Sequence, residues 1–192
     1  MSLKTKVKVG RVTNLSEARY CAGMGVDLLG FPVGDEGLKP EQYRQMIEWV
    51  AGPELVLEAH HSRTLDLKYI TDNYPGHYIE IGRDQLDWLS DGKVNFILAI
   101  EAKDWVSLYG NLMGLENIKY IELLNATQYD ASTVQAIGSL FPVLLGVNDP
   151  GRLADVLKLN SAGISLVGSD EEKPGIKDYG SVAEILEALE TE

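Results

Sequence analysis

The segment from Glu54 to Ile81, ELVLEAHHSRTLDLKYITDNYPGHYIEI, contains the pattern that decides the fold. A short apolar run at 54–60 precedes helical periodicity at 64–73, and a second apolar run follows at 77–81. Asn73 and the Pro75-Gly76 pair stop the helix before the second run begins. A strand, a helix and a strand joined by short connections predict a parallel βαβ unit.

The same rhythm continues along the chain and gives eight strand and helix pairs. Repeated right-handed βα units close into a barrel or wind around an open sheet, and eight units favour closure. We therefore predict the α/β class, with a single (β/α)8 TIM barrel domain spanning 1–192. An open doubly wound sheet is the alternative, but it needs a glycine-rich loop after the first strand, where Gly10 is the one glycine. The predicted strands are 6–10, 27–31, 54–60, 77–81, 94–100, 118–124, 141–146 and 162–167. The predicted helices are 14–24, 39–51, 64–73, 84–90, 103–114, 130–140, 150–159 and 180–190.

Composition narrows the classes of partner. With 45% hydrophobic and 24% charged residues, the chain is typical of a globular protein. The net charge of -12 opposes binding to nucleic acid. Cys21 is the single cysteine, which excludes an internal disulfide and favours a reducing compartment, so we expect the cytoplasm. No apolar stretch of membrane-spanning length occurs in the sequence, and we expect no membrane partner.

Several ionisable residues fall on strands at positions that face the barrel interior. On the third strand, alternation places Leu55, Leu57 and Ala59 toward the helices. Glu58 and His60 then point inward together with Val56, and the same parity turns Glu80 inward on the fourth strand. The full set of ionisable residues on or just after strands is Lys8, Glu58, His60, Glu80, Glu101 and Glu122.

Two interpretations of these inward charges stay open. In the first, Glu58 or Glu122 forms a relocated acid/base pair with His60, because crowded carboxylates in a dry site have perturbed proton affinities. In the second, the glutamates form a structural network that neutralises Lys8. Buried charges persist only when they are paired, so both interpretations predict contact between Lys8 and at least one of Glu58, Glu80 and Glu122.

Two segments resemble the phosphoribosylanthranilate isomerase family. Residues 13–18 (TNLSEA), leading to 25–31 (GVDLLGF), are similar to that family's first helix and second strand. Residues 171–178 (EEKPGIKD) are similar to its turn from the eighth strand into the final helix, and 39–42 (KPEQ) add a weaker match. The resemblance implies a TIM barrel whose family reaction is an Amadori rearrangement of a phosphoribosylated aromatic amine. The reaction needs one group to donate a proton and another to accept one.

The chain departs from the family at both proton-transfer positions. The family has a cysteine base at the end of the first strand, and Gly10 stands at that position here. Its acid is an aspartate ending the sixth strand, where the match is Asn125, or Leu123 without an insertion. Neither Gly10 nor Asn125 can serve as a titrating group.

The family's sugar-phosphate loops are also altered. Its paired glycines after the seventh strand are matched by Gly146 alone, and the loop after the eighth strand is matched by Gly168 and Ser169. Loops of this kind bind phosphate through backbone N–H groups, so these three residues are the predicted phosphate-binding positions. The loop at 32–37 lacks the family's substrate-binding arginine and contains Asp35 and Glu36. An acidic side chain there would repel an anionic ligand.

Other chemistry-bearing residues have simpler interpretations. His60 and His61 are adjacent and point to opposite faces of an extended strand, while His77 lies at the far end of the fourth strand, so we expect no metal site. We expect no cofactor either. Cys21 is predicted to be a small core residue within a helix. Packing of helices against the barrel wall is the predicted role of the three tryptophans, Trp49, Trp88 and Trp105.

Two functional hypotheses therefore remain. One is a divergent paralogue with lost or impaired isomerase activity that binds a small metabolite or a partner at the barrel mouth. The alternative is an active isomerase of a phosphoribosyl or related sugar-phosphate substrate, as in tryptophan biosynthesis, with Glu58, His60 or Glu122 as acid and base. The first hypothesis is favoured, because a protein that no longer needs to catalyse the reaction can lose the acid, the base and the phosphate loops together. A small phosphorylated metabolite is a candidate ligand, and the chain is expected to be a monomer or a homodimer.

Overall fold

A computed structural model of the chain describes residues 2–34, 37–60, 62, 65–124, 130–168, 171–173, 176–177 and 180–191. Eight parallel strands, β1 to β8, close into a barrel in which β1 pairs with both β2 and β8. The predicted (β/α)8 TIM barrel is therefore confirmed. The strands are Lys6–Gly10, Leu28–Pro32, Glu54–Glu58, Tyr78–Ile81, Phe96–Glu101, Ile118–Leu124, Val143–Gly146 and Gly163–Val167.

Helices follow the strands around the outside of the barrel. Side-chain caps begin several of them: Asn14 accepts a hydrogen bond from the Glu17 N–H at 2.9 Å, and Asp130 accepts one from the Ser132 N–H at 3.1 Å. The α-helices α1 to α7 are Leu15–Gly23, Pro40–Ile47, Leu67–Asn73, Trp105–Leu112, Ala131–Gly138, Leu153–Val156 and Gly180–Leu189. The 3-10 helices are Arg83–Ser90, Ala102–Asp104, Pro150–Arg152 and Leu157–Leu159. A short antiparallel hairpin, β9 and β10, pairs Glu171–Lys173 with Ile176–Lys177.

The apolar core has two parts. The larger lies between the barrel and the helices and includes Cys21, which is buried there as predicted. The smaller fills the barrel itself. It consists of Leu28, Val56, Ile97 and Leu144, each fully buried. Such layers of branched side chains pack the interior of a TIM barrel, so the barrel has no channel at this level.

Three sequence predictions need correction. Trp49 does not pack on the barrel: α2 ends at Ile47, and the Trp49 side chain is 67% exposed. The helix predicted at 150–159 is split into a 3-10 turn, the short α6 and a second 3-10 turn that ends at Asn160, whose φ is 52°. The helix predicted at 84–90 is a 3-10 helix. Among the described residues, no helix is long and apolar enough to cross a membrane.

Candidate functional site

The Lys8 ammonium lies at the centre of a buried ionic cluster inside the barrel. Its Nζ is 2.7 Å from Glu122 Oε2 and 3.2 Å from Glu58 Oε1, and it also contacts the Glu80 carboxylate. All four side chains are buried. Because they lie on β1, β3, β4 and β6, the cluster ties together strands from both halves of the barrel. The predicted contact between Lys8 and a glutamate is confirmed, with all three glutamates taking part.

The second oxygen of each carboxylate has a different partner. Glu58 Oε2 accepts a hydrogen bond from the Arg11 backbone N–H at 2.9 Å, and Glu122 Oε1 accepts one from the Ser165 hydroxyl at 2.8 Å. Glu80 Oε1 lies 3.1 Å from His60 Nδ1. Each carboxylate is therefore in contact with Lys8 and with a second polar group, and such pairing is the condition under which charges can remain in a protein interior. Arg11 has a φ of 56°, so this hydrogen bond holds a residue in the strained left-handed region.

Burial and the neighbouring charges shift the pKa values of Glu122 and Glu80 in opposite directions. Burial raises the pKa of Glu122 to about 7, and the nearby negative charge of Glu80 adds to this effect. Burial also opposes ionisation of Glu80, but Lys8 and His60 outweigh it and lower the pKa of Glu80 to about 2. For His60 and Lys8, burial would lower the pKa, yet the surrounding carboxylates raise it in both. The cluster thus contains one carboxyl group, that of Glu122, whose pKa lies near neutral pH.

Two glycines make room for Glu58. A Cβ at Gly30 would lie 2.7 Å from Glu58 Cδ, and a Cβ at Gly10 would collide with Glu58 Oε1. Real Cβ atoms do not approach other heavy atoms so closely, so the Glu58 carboxylate fills the space that a side chain at position 10 would need. The carboxylate of Glu58, contributed by a different strand, thus lies directly beside Gly10.

A cavity of about 270 Å³ opens above the cluster at the carboxyl ends of the strands. This is the end of the barrel where TIM-barrel enzymes bind their substrates. His60 forms part of its wall, with 15% of the side chain exposed. The other lining residues outside the cluster are Gly10, Arg11, Leu124, Gly146, Asn148, Leu166 and Val167, together with Ser165 from the floor.

The predicted phosphate loops already use several of their donors internally. The Val147 N–H donates to the Ser165 carbonyl, the Val167 N–H to the Asn148 side chain and the Gly168 N–H to the Gly10 carbonyl, at 2.8 to 2.9 Å. A Cβ at Gly168 would lie 2.6 Å from Oε1 of the buried Glu17. The Glu17 carboxylate therefore lies beside Gly168, which is one of the predicted phosphate-binding positions.

The predicted site residues fall into three groups. Glu58, His60 and Glu122 meet at the cavity floor, at the inward positions that strand alternation predicts, and their roles stay predictions. Gly146 lines the cavity, whereas Asn125 and Ser169 lie outside the described residues. Glu101 is separate from the cluster and pairs with Lys103 on the surface. Within the described part of the chain, no group of three His, Cys, Asp or Glu is placed to bind a metal ion.

Three contributions were missed from the sequence. Ser165 has no motif that distinguishes it from other strand serines. The partnership of His60 with Glu80 was missed because strand alternation gives the face on which a side chain lies and not its partner on the next strand. Glu17 was assigned to a helix motif. No sequence signal connects it with Gly168, which is distant in the chain.

Comparison with solved structures identifies proteins of the same fold. Phosphoribosyl anthranilate isomerase from Thermus thermophilus matches with a TM-score of 0.73 and 18% identity, covering 96% of this chain and 98% of that one. The enzyme from Thermotoga maritima gives 0.76 and 16%, with the same coverage. This chain has the phosphoribosylanthranilate isomerase fold. A thiamine phosphate pyrophosphorylase from Pyrococcus furiosus is also similar, with a TM-score of 0.61, 13% identity and coverage of 97% and 96%. The sequence matches no protein-family model and no curated protein.

Proposed function

We propose that this chain, as one domain over 1–192, is a phosphoribosylanthranilate isomerase-like barrel of the cytoplasm that has lost the Amadori isomerase reaction. It instead binds a small metabolite in the cavity above Lys8. The observation that carries the proposal is the position of Glu58, whose carboxylate fills the space beside Gly10 and is held by Lys8 and the Arg11 N–H. Both oxygens of this carboxylate are already engaged, Oε1 by the Lys8 ammonium and Oε2 by the Arg11 N–H.

The chemistry of the cavity favours a neutral or cationic ligand. Three carboxylates face one ammonium at its floor, and Glu17 adds a fourth carboxylate beside Gly168. The Lys8 ammonium is therefore already paired with carboxylates and is not available to bind an anionic group. The volume of about 270 Å³ suits a ligand smaller than a phosphoribosylated aromatic amine.

Complementation of a tryptophan auxotroph that lacks phosphoribosylanthranilate isomerase tests the loss of activity. We expect no growth when this chain is expressed as soluble protein, while an active isomerase in the same vector restores growth. Growth supported by this chain would refute the proposal. The purified protein should likewise show no turnover of the isomerase substrate.

Thermal unfolding in the presence of defined small molecules tests the binding. We expect ribose, small polyols or small amines to raise the melting temperature, because a ligand that binds the folded state stabilises it. Inorganic phosphate and ribose 5-phosphate should have no effect. Val167→Trp is the matched control, since Val167 lines the mouth without touching the ionic cluster, and it should abolish the stabilisation. Stabilisation by the phosphates instead would contradict the choice of ligand class.

An active isomerase remains the second candidate because of two specific observations. Glu80 lies beside His60 Nδ1, which is the arrangement that orients an imidazole for proton transfer. The pKa of Glu122 is about 7, so this residue can donate a proton near neutral pH. If the auxotroph grows, Glu122→Gln and His60→Gln should each abolish growth while the protein stays folded. Growth of both variants would exclude these residues as the acid and base.

A further inference from the structure

The ionic cluster beneath the cavity has more carboxylates than cations. Three carboxylates share the ammonium of Lys8, namely those of Glu58, Glu80 and Glu122. His60, beside Glu80, supplies a second positive charge when its imidazole is protonated. Even then one carboxylate has no positive charge of its own, and burial makes an uncompensated charge costly. The cluster therefore has a place for one further positive charge.

Two of the three carboxylates are held in the ionised form by their second partners. The Arg11 backbone N–H donates to Glu58 Oε2 at 2.9 Å, and an N–H group can only donate, so this oxygen is held as an acceptor. Glu80 Oε1 lies 3.1 Å from His60 Nδ1, which gives this carboxylate a cationic partner when the imidazole is protonated. The further charge is therefore needed at the third carboxylate.

Glu122 has a partner that fits both of its protonation states. Among the described residues, its one hydrogen-bond partner besides Lys8 is the Ser165 hydroxyl, at 2.8 Å from Oε1. A hydroxyl either donates to a carboxylate or accepts from a carboxylic acid. The residues in register on the adjoining strands, Ala99 and Leu144, are apolar. The pKa of Glu122 agrees with this geometry, because burial raises it to about 7.

We propose that the ligand of the cavity is a small primary amine, whose ammonium group binds in exchange for the proton of Glu122. The inference rests on the proposed function, because it assigns the ligand class and the pH dependence of the same cavity. Glu122 lines this cavity, so an ammonium group at the floor reaches its carboxylate. The exchange balances in charge, since one ammonium group enters and one proton leaves the carboxyl group for water.

The other charged groups around the cavity determine how binding depends on pH. Arg11 also lines the cavity, but its side chain is exposed and solvent screens its repulsion. Protonated His60 repels an ammonium group, and this repulsion grows as pH falls through its raised pKa. Glu17, buried beside Gly168, attracts a cation. Low pH therefore weakens binding of the amine.

The exchange predicts a specific pH profile. The amine stays protonated throughout, because its own pKa is about 10. Below the pKa of Glu122, about 7, each bound amine displaces one proton, so the Kd should rise about tenfold for each unit of pH. At higher pH Glu122 is already ionised, and the Kd should be constant. A neutral alcohol brings no positive charge and should release no proton.

Isothermal titration calorimetry of the full chain tests the exchange with a matched pair of probes, 4-amino-1-butanol and 1,4-butanediol. Titrations in two buffers of different ionisation enthalpy give the number of protons released. For each molecule of the amine, we expect release of about one proton at pH 6 and close to none at pH 8.5. The diol should release none at either pH.

Glu122→Gln removes the titrating group and keeps a side chain that can bond Lys8 and Ser165. We expect this variant to release no proton at pH 6 and to bind the amine about tenfold more weakly at pH 8.5. Glu54→Gln is the matched control, because Glu54 bonds Tyr78 at the other end of the barrel, and it should behave as the wild type does. The wild-type titrations stand without either variant.

The outcomes separate the exchange from the proposed function. Binding of the amine without proton release at pH 6, or unchanged release by Glu122→Gln, would overturn the exchange and leave the proposed function in place. Binding of the diol but not of the amine would overturn the ligand class. If neither probe binds at any pH, the inference fails, and the thermal unfolding series then decides the proposed function separately.

Discussion

Two adjacent layers of side chains inside the barrel differ in polarity, because one is apolar and the other is ionic. Val56 belongs to the apolar layer, and Glu58, two residues further along β3, belongs to the ionic cluster, although both side chains are almost completely buried. The apolar layer is stabilised by packing alone. The ionic layer is stable only because each carboxylate has Lys8 on one side and a hydrogen-bonding partner on the other.

The difference in polarity indicates that the two layers have different roles. A TIM barrel closes on apolar layers, and buried ion pairs contribute little net stability compared with apolar side chains of similar volume. Packing therefore does not account for the cluster. The cluster lies directly beneath the cavity, where the proposed function would place its ligand.

Lys8→Met should give the largest effect on stability, because it leaves three buried carboxylates without their cation. We expect a loss of about 3–5 kcal/mol in the free energy of unfolding at pH 8, measured by urea denaturation. The loss should shrink at acidic pH, where the carboxylates become protonated. Leu28→Ala, in the apolar layer, should cost about 2–5 kcal/mol at either pH. A Lys8→Met cost that does not change with pH would contradict the ionic account of the cluster.

Glu122→Gln should remove part of the pH dependence of stability. The pKa of Glu122 is about 7 in the folded protein and its ordinary value is 4.5, so the fold favours the protonated form. This contribution is present at low pH and is lost as pH rises from about 4.5 through about 7. The loss amounts to about 3 kcal/mol. The raised pKa of His60 acts in the same direction.

The measurement is the free energy of unfolding at pH 5 and pH 8. The wild-type protein should be less stable at pH 8, and Glu122→Gln should lose less stability between the two values. Glu54→Gln is the control, since Glu54 begins β3 and bonds Tyr78 at the other end of the barrel from the mouth. Equal slopes for the wild type and Glu122→Gln would show that Glu122 does not titrate in this range.

Gly10→Cys tests the steric relation between Glu58 and position 10. The new side chain would collide with the Glu58 carboxylate, so we expect a loss of about 1–3 kcal/mol, as for other overpacked interiors. Combining it with Glu58→Ala should cost less than the sum of the two single changes, because the collision is removed. Gly23→Ala, where a Cβ meets nothing, is the control. Simple additivity would mean that the two positions do not compete for space.

The sequence predicted the barrel and the inward direction of the charges because both depend on local periodicity. Apolar runs, helical spacing and the helix-ending pair Pro75-Gly76 are each recognised from a few neighbouring residues. The alternation of side chains along a strand places Glu58 and Glu80 on the same face of the sheet. The prediction that Trp49 packs against the barrel was wrong. Its helical periodicity continues past Ile47, where the chain turns, and periodicity alone does not give the end of a helix.

The contacts that define the site were beyond such local patterns. Glu17 lies beside Gly168, and Glu58 fills the space at Gly10, because barrel closure brings distant strands and loops together. From the sequence, the family resemblance implies that Gly10 stands where the family has its base. The structure adds that the Glu58 carboxylate, from another strand, lies in the space that a Cβ at position 10 would enter.

Lys68→Ala should have the smallest effect and completes the comparison between buried and exposed charges. Lys68 contacts Asp72 one turn later in α3, so it is a lysine paired with a carboxylate, as Lys8 is. Its side chain is 82% exposed, however, and water replaces the partner when the pair is broken. We expect the free energy of unfolding to stay within experimental error at low and at moderate salt. A loss as large as that of Lys8→Met would mean that pairing itself, and not burial of the paired charges, determines the stability of the ionic cluster.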